Sequence, residues 1–139
     1  MNPHTRRAAV VAGLLIGLWV MSAALYGAMR IGGSSFAVNG QVARDHQYTG
    51  GCPVDLTFDW GVINSDPTAI SYWTSRNDNA HSNPRSLNHP GSNRSMPIME
   101  HWRLGANNPQ FANYHGWMEI HIESPAPATN RIPFTLHCR

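Results

Sequence analysis

Three stretches of the chain alternate apolar and polar residues with a period of two. Cys52, Val54, Leu56, Phe58, Trp60 and Val62 share one phase. Met118, Ile120 and Ile122 share another, set against Glu119, His121 and Glu123. Ile132, Phe134, Leu136 and Cys138 repeat the pattern against Arg131, Pro133, Thr135 and His137. Successive side chains of a strand point to opposite faces, so the alternation predicts strands with one buried face. Shorter candidates are Phe36–Arg44, Ala69–Ser75 and Met96–Leu104, with a weaker one at Ser86–Asn88. Turn-forming residues cluster between them, at Tyr48–Gly51, Asn64–Thr68, Arg76–Arg85, Asn88–Ser95, Gly105–Asn113 and Ser124–Asn130. Six or seven short strands broken in this way predict an all-β two-sheet sandwich.

One stretch departs from the pattern. Ala8 to Met29 runs without a charge. At roughly 1.5 Å per residue it spans about 33 Å as a helix, enough to cross a membrane. The competing reading is a cleaved signal peptide, with Met21-Ser22-Ala23 as a weak cleavage site. The apolar run exceeds the roughly 7–15 residues of a signal core, which favours a retained anchor. Arg6 and Arg7 keep residues 1–7 in the cytoplasm and send the rest of the chain outside. Ala9, Gly13 and Gly17, then Ala23 and Gly27, follow a small-residue spacing that lets helices approach closely in lipid. Chance occurrence in an Ala- and Gly-rich span is the alternative. Residues 30–36 read as a flexible linker. Residues 37–139 then form one exported domain, about the size of a single core. The expected setting is the bacterial inner membrane, crossed once.

The two cysteines, Cys52 and Cys138, both follow the anchor. Outside the cytoplasm such a pair forms a disulfide more readily than it remains as buried thiols. Both also lie in phase with the apolar face of their own strand. In the usual sandwich order the start of the second strand and the end of the last share one pole, which brings the two sulfurs together. That pole is expected to face away from the membrane, with loops 45–51, 76–85 and 105–113. Loops 63–68, 89–95 and 124–130 are expected to face it.

Charge adds little. The net charge is +2, but Arg6, Arg7 and Arg30 flank the apolar segment. The remainder carries seven arginines against eight acids, so no basic face for nucleic acid is indicated.

The residues also carry a resemblance. Cys52-Pro53-Val54-Asp55-Leu56-Thr57-Phe58, Ile70-Ser71-Tyr72-Trp73, Trp102-Arg103-Leu104 and Tyr114-His115-Gly116-Trp117-Met118 occur in order. Ser124-Pro125 and Phe134-Thr135-Leu136-His137-Cys138 complete the series. Over residues 36–139 it resembles immunoglobulin-like domains of bacterial exported proteins. The resemblance implies that Trp73 is the core tryptophan of the third strand. The Cys52–Cys138 pairing departs from the antibody pattern, and the fold alone names no activity.

Catalytic constellations are absent from the sequence: no serine elbow, phosphate loop or HExxH is found. Asp55 and Asp59 share a strand face as a solvated edge, and the chain is not expected to be an enzyme. His46, His81, His89, His101, His115, His121 and His137 lack metal-ligand spacing and read as scattered surface residues. No metal and no cofactor are expected. Trp60, Trp73 and Trp102 are expected in the core. Trp117 falls out of phase with Met118, Ile120 and Ile122, so it is either exposed beside Tyr114 and His115 or packed at the strand entry. The polar stretch 76–95 is either mobile or ordered by a partner. Tyr114, His115, Trp117, Arg76, Asn77 and Arg85 are therefore the candidate interface residues. The expected function is a non-catalytic accessory subunit of a larger bacterial membrane complex, such as a photosynthetic reaction centre with its antenna or a respiratory complex. Its partners would be neighbouring subunits and the lipid bilayer. The alternative is a membrane-tethered adhesion or carbohydrate-binding module.

Overall fold

The computed structural model describes residues 29–139. The anchor expected at 8–29, with Ala9, Gly13, Gly17, Ala23 and Gly27, lies outside the described residues except for Met29. Among the described residues no helix is long and apolar enough to cross a membrane. They form β1 (Arg30–Val38), β2 (Gln41–Val42), β3 (Gln47–Gly50), β4 (Val54–Ile63), β5 (Thr68–Arg76), β6 (Arg85–His89), β7 (Ser95–Leu104), β8 (Tyr114–Ser124) and β9 (Ala128–Cys138). A four-stranded sheet runs β2-β1-β4-β7, and a five-stranded sheet runs β3-β9-β8-β5-β6. The described residues form an all-β, two-sheet sandwich.

The alternating positions set the core. Val54, Leu56, Phe58, Trp60 and Val62 point from β4 toward Met118, Ile120 and Ile122 of β8 and Ile132, Phe134 and Leu136 of β9. All are buried. Phe134 stacks on Phe36 with ring centroids 5.0 Å apart and meets the edges of Phe58 and Trp102 at 5.6 and 5.8 Å. Each such pair contributes about 0.5–1.5 kcal/mol beyond its burial.

Several expectations need correction. Residues 30–36 are not a linker but most of β1, paired antiparallel with β4 from Arg30↔Ile63 to Phe36↔Phe58. Gly32, Gly33, Ser34 and Ser35 hide the strand because they carry no apolar alternation. Their backbone pairing, not side-chain burial, holds them in the sheet. The Phe36–Arg44 candidate is broken at Asn39-Gly40, where both residues have positive φ (51° and 80°). That is the hairpin geometry an Asn-Gly pair favours. The turn expected at Tyr48–Gly51 falls mostly within β3, which among the described residues is the strand that pairs in parallel, along Thr135–Cys138 of β9. The weak candidate at Ser86–Asn88 is the centre of β6.

Trp73 is not in the core. Ile70, Tyr72 and Thr74 are the buried residues of β5, so Trp73 lies half-buried on the opposite face. The segment after β5 is also structured. Arg76 N–H donates to Ala80 O at 2.9 Å, Ser82 N–H donates to Thr74 O at 2.8 Å, and Thr74 N–H donates to Ser82 Oγ at 2.9 Å. His89 is 2% exposed rather than a surface residue.

Cys52 and Cys138 are joined, with Cα atoms 5.5 Å apart. The bond links the sheets, since Cys52 precedes β4 and Cys138 ends β9. Gly105 lies against it with φ +94°, and a Cβ there would come within 3.0 Å of both sulfurs. Arg30 pairs with Ile63, at the pole opposite the disulfide. Reducing the disulfide, or replacing both cysteines with alanine, should lower unfolding free energy by about 2–5 kcal/mol, because 86 positions separate the linked residues. Urea unfolding with and without reductant measures this. Phe134→Ala should cost about 3–5 kcal/mol in the same assay.

Candidate functional site

The solvent face of the five-stranded sheet carries the residues that alternate with the core. On β8 these are His115, Trp117, Glu119 and His121, and on β9 they include Arg131, Pro133 and Thr135. Trp73 and Ser75 extend the face onto β5. The register places Glu119 opposite both Arg131 and Ser75, and His121 opposite Trp73. Cross-strand neighbours on one face lie close enough to interact, so the register itself assembles a contact chain.

Arg131 caps the Trp117 ring, its guanidinium carbon 3.8 Å from the ring centroid. Its Nε–H donates to Glu119 Oε2 at 3.1 Å. Glu119 Oε1 lies 3.2 Å from His121 Nε2, which also meets Ser75 Oγ at 2.8 Å. The His121 ring stacks on Trp73, nearly parallel at 5° and 3.8 Å. His81 closes the series edge-on to Trp73 at 6.3 Å. An exposed ion pair contributes about 0–1 kcal/mol and a cation–π contact about 0.5–1 kcal/mol. The larger effect is that a long arginine and two tryptophans are held in one arrangement before anything binds. Restricting such side chains in advance reduces the entropy lost on association.

Asn77 fixes one end of this face. Its Nδ2 donates to the Tyr114 hydroxyl at 2.9 Å, while its Oδ1 accepts Trp117 N–H at 3.1 Å. Asn77 N–H reaches Trp117 O at 3.3 Å. Tyr114 packs inward near Phe134, leaving Trp117 half-buried and outward. Beside Trp117 a groove of about 410 Å³ runs over Pro133 and Thr135, bordered by Asp45, His46 and His115. His115 Nδ1 lies 3.2 Å from Thr135 Oγ1, and His46 Nδ1 lies 2.9 Å from Pro133 O.

Four of the expected interface residues, Asn77, Tyr114, His115 and Trp117, are therefore brought together. Arg76 and Arg85 are not. Arg76 lies over the Trp102 ring at 4.5 Å and pairs with Asp78 at 2.9 Å. Arg85 pairs with Glu100 of β7, tying the edges of the two sheets. Its hydrogen bond to Glu100 raises the guanidinium above its ordinary value, against the opposing effect of burial, so the charge persists. Glu119, His121, Arg131 and Trp73 were missed. The alternation already put the first three on the polar face, and only strand pairing shows that they meet. Among the described residues no group of three or more His, Cys, Asp or Glu is placed to hold a metal ion.

No family model matches this chain, and no curated protein is significantly similar to it. Its own geometry carries the functional reading. If Arg131 and Trp117 act as one unit, a double-mutant cycle with Arg131→Ala and Trp117→Ala should show coupling of about 0.5–1 kcal/mol in urea unfolding. Additive effects would show that the stacked contact adds nothing.

Proposed function

We propose that this chain is a non-catalytic accessory subunit of a bacterial membrane complex. In this reading the 8–29 segment anchors the chain in the inner membrane. An immunoglobulin-like domain outside then contacts neighbouring subunits. The observation that carries the reading is the ordered Trp117–Arg131–Glu119–His121–Trp73 series on an otherwise polar sheet face. Tryptophan and arginine are the residue types that most often dominate protein interfaces, and they do so best when the complex desolvates them and they are held rigid beforehand. The groove beside Trp117 adds a recess for a partner side chain. Entry of the chain at Arg30, opposite the disulfide pole, agrees with a domain that stands away from the membrane on its disulfide side.

Extraction in a mild detergent followed by size separation tests this. The chain should co-migrate with an assembly far larger than itself. Trp117→Ala combined with Arg131→Ala should release it while the domain still unfolds cooperatively in urea at a modestly lowered midpoint, and Gly13→Leu with Gly17→Leu should release it through the helix. Migration of the native chain as a single small species would overturn the accessory role. Retention of the Trp117/Arg131 variant would remove this face as the contact.

A further inference from the structure

A second recess on the same sheet lies at the other end of the contact series. It measures about 330 Å³ and is lined by Trp73, His81, Ser82, Asn83, Pro84 and Glu123. Glu123 is six positions beyond Trp117 on β8, so the two recesses are roughly 20 Å apart along the strand. The volume falls within the range of small-ligand clefts. Its wall is rigid for a physical reason. The Ser75↔His81 bridge and the paired hydrogen bonds between Thr74 and Ser82 bind the incoming segment to the edge of β5. On the far side, Arg85↔Tyr72 pairing fixes the chain again. Asn83 and Pro84 are thus held between two anchored points beside Trp73.

The lining divides by chemistry. Pro84 and the part of the Trp73 ring not covered by His121 offer apolar surface. Asn83 supplies an amide with both donors and an acceptor, Ser82 a hydroxyl, His81 an imidazole, and Glu123 a carboxylate. Ser71 Oγ donates to Glu123 Oε2 at 3.3 Å, which orients that carboxylate while leaving acceptor capacity free. A sugar ring has matching halves: an apolar C–H face and a rim of hydroxyls that both donate and accept. A simple cation would use the oxygen ligands but leave the apolar Pro84 surface unmatched, and among the described residues no group of three or more His, Cys, Asp or Glu is gathered to hold one. An extended proline-rich peptide would use the rings but leave the carboxylate unpaired.

We propose that the Trp73 cleft is a saccharide site, taking one or two rings of a neutral glycan. The site is separate from the Trp117 groove and does not depend on the accessory role. Trp73 packs against the ligand, while Asn83 and Glu123 bond its hydroxyls.

The test uses the full chain in detergent, with the trimer of β-1,4-linked N-acetylglucosamine, maltotriose and a short polyproline peptide as probes. Calorimetric titration and the tryptophan indole signals in NMR provide the readouts. Saturable binding of one of the two glycans is expected, with shifts at the Trp73 indole. Trp73→Ala should weaken that binding by about tenfold or more, and Glu123→Gln or Asn83→Ala by several-fold. Trp117→Ala should leave it unchanged. Should Trp73→Ala fail to fold, the Glu123 and Asn83 variants carry the test, since both side chains are exposed. Absence of glycan binding, binding unaffected by these variants, or binding of the peptide alone would overturn the proposal. Co-migration with a larger assembly is measured separately, so the fate of the accessory role is distinguishable.

Discussion

Phe134 meets aromatic rings on all three long strands of the smaller sheet: Phe36 on β1, Phe58 on β4 and Trp102 on β7. It also approaches Tyr114 on its own sheet at 6.1 Å. With that ring turned inward, the period of two forces Arg131, Pro133 and Thr135 outward along β9. The β8–β9 register then carries the same choice to Trp117, Glu119 and His121. A slip of one residue would put Arg131 in the core and Phe134 in water, an exchange no domain of this size could tolerate. The outward face is therefore a consequence of the inward one.

That dependence explains why the contact series is ordered although its individual contacts are weak. Glu119 is opposite Arg131 on one side and Ser75 on the other because the core fixes both registers. Weak pairs between groups already held in place lose little further freedom on meeting. Asn77 works in the same way. It lies beyond the last paired residue of β5, yet its side chain satisfies the Trp117 backbone and the Tyr114 hydroxyl together. A polar side chain thus extends the strand pairing by one position and sets the border of the Trp117 groove.

The elements legible in the sequence are those whose two faces differ. β4, β8 and β9 alternate cleanly because one side meets the core and the other meets water. β1 was hidden because its glycine- and serine-rich stretch, paired to β4 alone, contributes backbone pairing but almost no contrast. β3 was hidden because its four residues are placed by β9, not by their own pattern. Trp73 was placed on the wrong face for a related reason. Tyr72 and Trp73 are adjacent aromatics, and only Ile70 and Thr74 decide which one the core accepts. The Asn39-Gly40 turn, by contrast, had a readable signal in its residue pair. Of the candidate site, the aromatic corner at Tyr114–Trp117 could be read from phase, whereas Glu119, His121 and Arg131 required strand pairing.

The two poles are closed by different chemistry, and this constrains how the domain can loosen. At one pole Cys52 and Cys138 link the sheets, and Gly105 packs on the sulfurs. At the other, where the chain enters, no cysteine is present. There His89 accepts Gly91 N–H through Nδ1 at 3.0 Å, so its proton resides on Nε2, which donates to Arg94 O at 3.0 Å and Val62 O at 3.2 Å. Asn64 Nδ2 donates to Asp66 O, and Gly91 packs against Asp66 and Pro67 where a Cβ would come within 2.8 Å of backbone. A buried imidazole with both nitrogens engaged ties the β6–β7 turn to β4 without any covalent bond. Reduction removes the covalent link at the disulfide pole, whereas the hydrogen bonds at the pole where Arg30 lies contain no group it can act on. The contact series lies between the two, with a covalent link closing one end and hydrogen bonds closing the other.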